Sequence, residues 1–221
     1  MLQPGRQVER LEFIRIIKHA LVTLLNALFT ANVVVVKSEL SVSRQETIGL
    51  IKSRMDLFCE LANGQFAIID MKWGSYKKCK DELKNGTALQ LATYARIAGS
   101  IDQEKLADAA YFIFKNAELL STHRLVFPTA TCILPKQITT LPQTWREFEN
   151  TALWRISQLE QGLVEITYGN ASSDQSLMKP EDILPVDTME KAANNNNRNT
   201  YGKSYKFIDP WRNLTRNSQE I

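Results

Sequence analysis

Asn63-Gly64 separates two apolar runs in the stretch RMDLFCELANGQFAIIDMKWG, Arg54 to Gly74. Both turn residues tolerate positive φ, and a dipeptide of this kind between apolar runs is the strongest short-range signal for a β-hairpin. The chain is thereby committed to two adjacent antiparallel strands. One carries Asp56 and the other carries Asp70, with Lys72 two residues further on. The two aspartates lie at similar distances from the turn, so they can meet across the pair. Side chains alternate along a strand, so Asp70 and Lys72 share a face. Two carboxylates brought together in apolar segments repel each other and lose hydration. A divalent cation relieves both penalties: Mg²⁺ takes one or two carboxylates and fills its remaining positions with water or phosphate oxygens. The backbone carbonyl of Met71 lies between them and offers a further oxygen. A lysine beside such an ion can orient a water or steady charge developing on a phosphate. The bland alternative for Asp56, Asp70 and Lys72 is a salt bridge at the strand ends.

The rest of the chain supplies a frame for this hairpin. Val8 to Asn32 spaces Leu11, Ile14, Leu21, Leu24, Leu25 and Leu28 helically without Gly or Pro, which predicts one long helix with most of one face buried. Val33 to Leu40 is β-branched and predicts a strand. Glu46 to Leu61 predicts a second and Gln65 to Trp73 a third. Gly74 to Lys84 is polar and basic and reads as a loop. Asn85 to Gly99 reads as a helix closed by Gly99. Asp108 to Leu120 reads as a strand. Pro142 to Ile166 reads as a second long helix, with Trp145, Phe148, Leu153 or Ala152, Ile156 and Leu159 on its apolar face. The order is helix, three-strand meander, helix, strand, helix. It predicts an α/β core with a mixed central sheet flanked by helices.

With these elements in order, the pattern RMDL…FAIIDMKWG…LQLATYA resembles the RecB-type nuclease domain of the PD-(D/E)XK superfamily, over roughly Leu11 to Leu120. Asp56 matches the second-motif aspartate of that family. Asp70, Met71 and Lys72 match its D-x-K motif, and Gln90 and Tyr94 match its helical Q-x-x-x-Y motif. Four-residue spacing puts the last two on one helix face. His19 stands where the family has a first-motif histidine, without the glycine that usually precedes it. The resemblance implies a restriction-endonuclease-like core and Mg²⁺- or Mn²⁺-dependent hydrolysis of DNA phosphodiesters. Asp56, Asp70, His19 and the Met71 carbonyl would hold the metal, and Asp56, Asp70, Lys72, Gln90 and Tyr94 would form the catalytic site. It implies single-stranded or helicase-unwound DNA as partner, within a larger recombination, repair or defence protein or complex. Members with an iron–sulfur staple carry a cysteine trio near the C-terminus. No such trio occurs here, so no cluster is expected.

Composition narrows the alternatives. The 221 residues suffice for one packed domain, and a formal charge of +3 permits a nucleic-acid partner without arguing for one. Cys59, Cys79 and Cys132 are far apart with no CxxC pair, which disfavours a zinc knuckle and fits a reducing, cytoplasmic compartment. Arg10, Arg15 and Lys18 interrupt the first apolar segment, so no membrane span is expected. Trp73, Tyr76, Lys77, Lys78 and Lys80 can form a base-stacking and phosphate-tracking patch, or a merely solvated basic loop. Glu39 is either a further acidic site residue or a solvated strand-end glutamate. The domain is expected over 1–170. Residues 171–221, with NNNN at Asn194 to Asn197, read as a linker and a C-terminal tail that can dock on the core. Two non-enzymatic readings stay open: a nucleic-acid-binding module that does not cut, and a scaffold domain of the same fold.

Overall fold

The computed structural model describes residues 5–102, 105–136 and 140–162. The Asn63-Gly64 turn forms, with Gly64 at φ 81° and Asn63 Oδ1 accepting from the Gln65 backbone N–H at 3.0 Å. It joins β2 (Gly49–Leu61) to β3 (Phe66–Lys72), antiparallel, with Leu57 opposite Ile69 and Glu60 opposite Phe66. β1 (Val33–Glu46) pairs antiparallel with β2 and completes the meander. It runs past the expected Leu40 to Glu46, because SVSRQE alternates between covered and solvated positions. Glu46 therefore closes β1 rather than opening β2, and Gly49, at φ 122°, starts β2 after the turn.

Two helices carry the chain from β3 to a parallel neighbour, β4 (Leu106–Ile113). The first, α2 (Tyr76–Asn85), replaces the loop expected over Gly74 to Lys84. Tyr76, Cys79 and Leu83 follow helical spacing and pack on the core, while the lysines between them stay in water. Gly86 ends α2 in the left-handed region at φ 66°, its N–H turned back on the carbonyls of Glu82 and Leu83. Asn85-Gly86 is thus a helix stop and not a helix start. The second, α3 (Leu89–Asp102), runs through Gly99 rather than ending there. The single strand expected over Asp108 to Leu120 is two. A turn at Phe114–Ala117, with Ala117 at φ 51°, divides β4 from the antiparallel β5 (Glu118–Ser121). A two-residue β6 (Thr131–Cys132) lies parallel to β5. The six strands form one mixed sheet in the order β1-β2-β3-β4-β5-β6.

Helices cover both faces. The first, α1 (Gly5–Thr30), packs Ala20, Leu24, Ala27 and Leu28 against Leu57, Cys59, Ala67, Ile69, Ala110 and Phe112. On the other face α2 and α3 pack against Phe58, Phe66, Ile68, Ala109, Tyr111 and Ile113. A last helix, α4 (Leu141–Glu160), lies against α3 and buries Trp145, while Leu153, Ile156 and Leu159 remain exposed. The expected burial of α1 is corrected in the same way: Leu11, Leu21 and Leu25 are exposed, and the covered stripe is built around alanines that allow close approach to the sheet. By length and composition alone, Arg6–Thr30 is long and apolar enough to cross a membrane, a test that the core helix of a soluble protein also passes. The linker and tail expected from residue 171 lie outside the described residues.

Candidate active site

Alternation along β3 decides where the chemistry-bearing side chains go. Ala67 and Ile69 enter the core under α1, and Phe66 and Ile68 enter the core under α3. Asp70 and Lys72 continue the second set and emerge beneath α3, near the C-terminal end of the strand. Asp56 lies one residue beyond the last β2–β3 pair, Leu57 with Ile69, and so falls opposite Asp70. The strands separate there, and the Asp56 carboxylate replaces a ladder partner: its Oδ2 accepts the Met71 backbone N–H at 2.7 Å.

Asp70 is fully buried, and Lys72 reaches it from the solvent side with Nζ 2.8 Å from Oδ2. That contact brings the charges together but gives Oδ2 no hydrogen bond of good geometry. Gln90 of α3 fills the rest of the space. Its Nε2 donates to Asp70 Oδ1 at 2.6 Å and to the Tyr94 hydroxyl at 2.8 Å, and its Oε1 accepts from Lys72 Nζ at 2.8 Å. Burial pushes the Asp70 carboxyl above the ordinary carboxylate range. The Lys72 ammonium pulls it back, and the Asp56 charge pushes it further up. Burial likewise raises the Tyr94 hydroxyl, which keeps its proton and can donate it to Asp70.

Asp70, Lys72, Gln90 and Tyr94 therefore form one bonded cluster on one sheet face. Asp56, held on the Met71 N–H beside it, is near enough for its charge to push up the Asp70 carboxyl. His19 does not join them. It is exposed on α1, across the sheet, beside a depression lined by Arg15, Ile16, Phe114 and Lys115. Among the described residues, no group of three His, Cys, Asp or Glu that could hold a metal is found, so His19 is not brought into a ligand group with Asp56 and Asp70. What the site offers a cation is the carboxylates of Asp56 and Asp70, the latter with a buried oxygen lacking a hydrogen bond. All are hard oxygen donors in the number Mg²⁺ or Mn²⁺ accepts, and they lack the nitrogen and sulfur donors zinc prefers.

The residues of the expected nucleic-acid patch lie at and just before the start of α2, with different neighbours. Trp73 is half-exposed, but its ring sits between Phe13 at 5.1 Å and Phe114 at 6.4 Å. Tyr76 packs on the core, and burial, followed by Glu118, raises its hydroxyl. Lys78 is 3.7 Å from Glu82, and Lys80 lies over the Tyr76 ring. Lys77 faces solvent. Glu39 pairs with Arg54 at 2.7 Å, both exposed, which is the solvated alternative. Sequence reading missed Tyr111 and Glu82. Tyr111 pairs with Asp70 across β3 and β4, and its hydroxyl donates to Glu82 at 2.9 Å. Tyr111 could have been found by its alternation with Ala109 and Ile113. Glu82 could not, because it lay in the segment read as a loop.

No protein-family model matches the chain, and no curated protein is significantly similar to it in sequence.

Proposed function

We propose that this chain is a Mg²⁺- or Mn²⁺-dependent nuclease of the RecB-type PD-(D/E)XK kind, acting on DNA within a larger recombination, repair or defence protein or complex. One observation carries the reading. Asp70 is joined by Lys72 and a Gln90–Tyr94 pair in one bonded cluster, and the Asp56 carboxylate, held on the Met71 N–H, comes near enough to raise the Asp70 carboxyl. A plain salt bridge needs only Asp70 and Lys72. It gives no reason to bring Asp56 to the same point or to spend a bridging glutamine there.

In this reading Asp56, Asp70 and the Met71 carbonyl hold the ion. A bound ion would supply neutralisation of phosphate charge and acidification of a water. Lys72 steadies the charge that builds on the phosphate oxygens. Gln90 fixes the carboxylate of Asp70 and, before an ion enters, also holds the ammonium of Lys72. Tyr94 holds Gln90 in place and offers its hydroxyl proton to Asp70. The test is incubation of the purified chain with end-labelled single-stranded and duplex DNA, with Mg²⁺, Mn²⁺ or EDTA. Cleavage that needs the ion supports the nuclease. DNA retention in a gel shift with no cleavage under either ion replaces it with the binding-module reading.

A further inference from the structure

We infer that Lys72 acts as a built-in counter-ion that a divalent cation must displace, so that loading of the ion and release of the catalytic lysine are one event. The inference rests on the metal-dependent reading above. Nζ of Lys72 lies 2.8 Å from Asp70 Oδ2 and 2.8 Å from Gln90 Oε1. Two oxygen acceptors thus converge on one positive centre, which is the kind of pocket a hard cation takes. Asp70 is fully buried and cannot stand as an unpaired charge without large cost. Lys72 answers that charge from a side chain that is one-third exposed.

An ammonium and a divalent ion cannot share Oδ2, because like charges a few ångströms apart in a partly buried site repel strongly. Entry of the ion therefore expels Lys72. Its four-carbon stem is flexible, and its exposed end lets it swing outward without disturbing β3. Outward is where a phosphate group would lie, and an anion there draws the lysine in the same direction. Cation binding and phosphate binding then favour each other reciprocally, through a residue that must leave one to reach the other.

The experiment is calorimetric titration of the metal-stripped chain with Mn²⁺, with no nucleic acid present, for the parent, Lys72→Met, Asp70→Asn and Lys52→Met. Lys52→Met removes an equal charge from an exposed position further along β2 and controls for the general field. Lys72→Met should bind Mn²⁺ about five- to a hundredfold more tightly than the parent. Lys52→Met should match the parent, and Asp70→Asn should lose the site. If Lys72→Met does not fold, Lys72→Gln keeps a donor beside Asp70 without the charge and should show the same direction. Equal affinity in Lys72→Met and parent, with binding that still needs Asp70, overturns the displacement and leaves the nuclease reading standing. Equal tightening in Lys52→Met also overturns it. Absence of any Asp70-dependent binding overturns both.

Discussion

Gln90 donates from Nε2 to Oδ1 of Asp70 at 2.6 Å and thereby ties α3 to the end of β3. Because its Oε1 also accepts from Lys72, the carboxamide has a fixed orientation, and neither end can be exchanged for the other. Gln90→Ala is predicted to lower the cleavage rate roughly 10–100-fold, the usual cost of losing a group that orients a ligand. DNA affinity should change little. Gln90→Glu should be worse, because it sets a second carboxylate against Asp70. Steady-state kinetics of the two variants test this, and a Gln90→Glu rate above that of Gln90→Ala would contradict it.

On the proposed nuclease reading, Lys72 should separate binding from chemistry. Affinity for DNA is spread over many phosphate contacts, whereas charge stabilisation in the transition state is local. Lys72→Ala should keep near-parental affinity and lose about 2.7–4 kcal/mol of transition-state stabilisation, roughly a hundred- to a thousandfold in rate. A gel shift in Ca²⁺ and a time course in Mg²⁺ on the same substrate measure both. Parental cleavage by Lys72→Ala would sink the mechanism.

Arg96 fastens α3 to the meander. It grips the buried Glu46 with Nε and Nη2, each at 2.8 Å, while Arg44 reaches the same carboxylate at 2.9 Å. The Arg96 hydrogen bonds hold the Glu46 carboxyl below its ordinary pKa. Arg96→Ala strands much of that charge and should cost about 3 kcal/mol of stability. Urea unfolding of the variant measures it; a midpoint equal to the parent's would show that Arg44 alone suffices.

Asp108 gives the fold a pH signature. Burial lifts its carboxyl to about 6, against the opposing pull of His123, Ser121 and the Ala109 N–H. The unfolded chain releases this proton near pH 4, as an ordinary aspartate does. Between those values the folded state holds more proton than the unfolded state. Stability from this group is therefore complete at the low end of the window and is lost as pH rises through about 6. The loss should be on the order of 2–3 kcal/mol. Asp108→Asn should flatten thermal stability across that window, and an unchanged slope in the variant would assign it to other groups.

How much of this could be read from the chain follows from how local each feature is. The β2–β3 hairpin was legible because Asn63-Gly64 names its own turn. The shared face of Asp70 and Lys72 follows from alternation, and that of Gln90 and Tyr94 from helical spacing. α2 was hidden by Lys77, Lys78, Lys80, Asp81 and Lys84, which outnumber the few residues touching the core. The β4–β5 turn was hidden because Ala117 takes the left-handed conformation where a glycine would have announced it. The family resemblance aligned His19 with the site, but nothing local in the chain says which side of the sheet its helix covers. The Gln90 bridge joins residues eighteen and twenty positions away, and nothing local encodes it.

The most direct test of the central claim is a cleavage time course on end-labelled single-stranded DNA in Mn²⁺, comparing the parent with Asp70→Asn at matched folded concentration. The parent should shorten the strand, EDTA should stop it, and Asp70→Asn should leave the DNA intact even in excess Mn²⁺, because a ligand oxygen has been replaced by an amide. Cleavage by Asp70→Asn at the parental rate, or no cleavage by the parent under Mn²⁺ or Mg²⁺, would contradict the account.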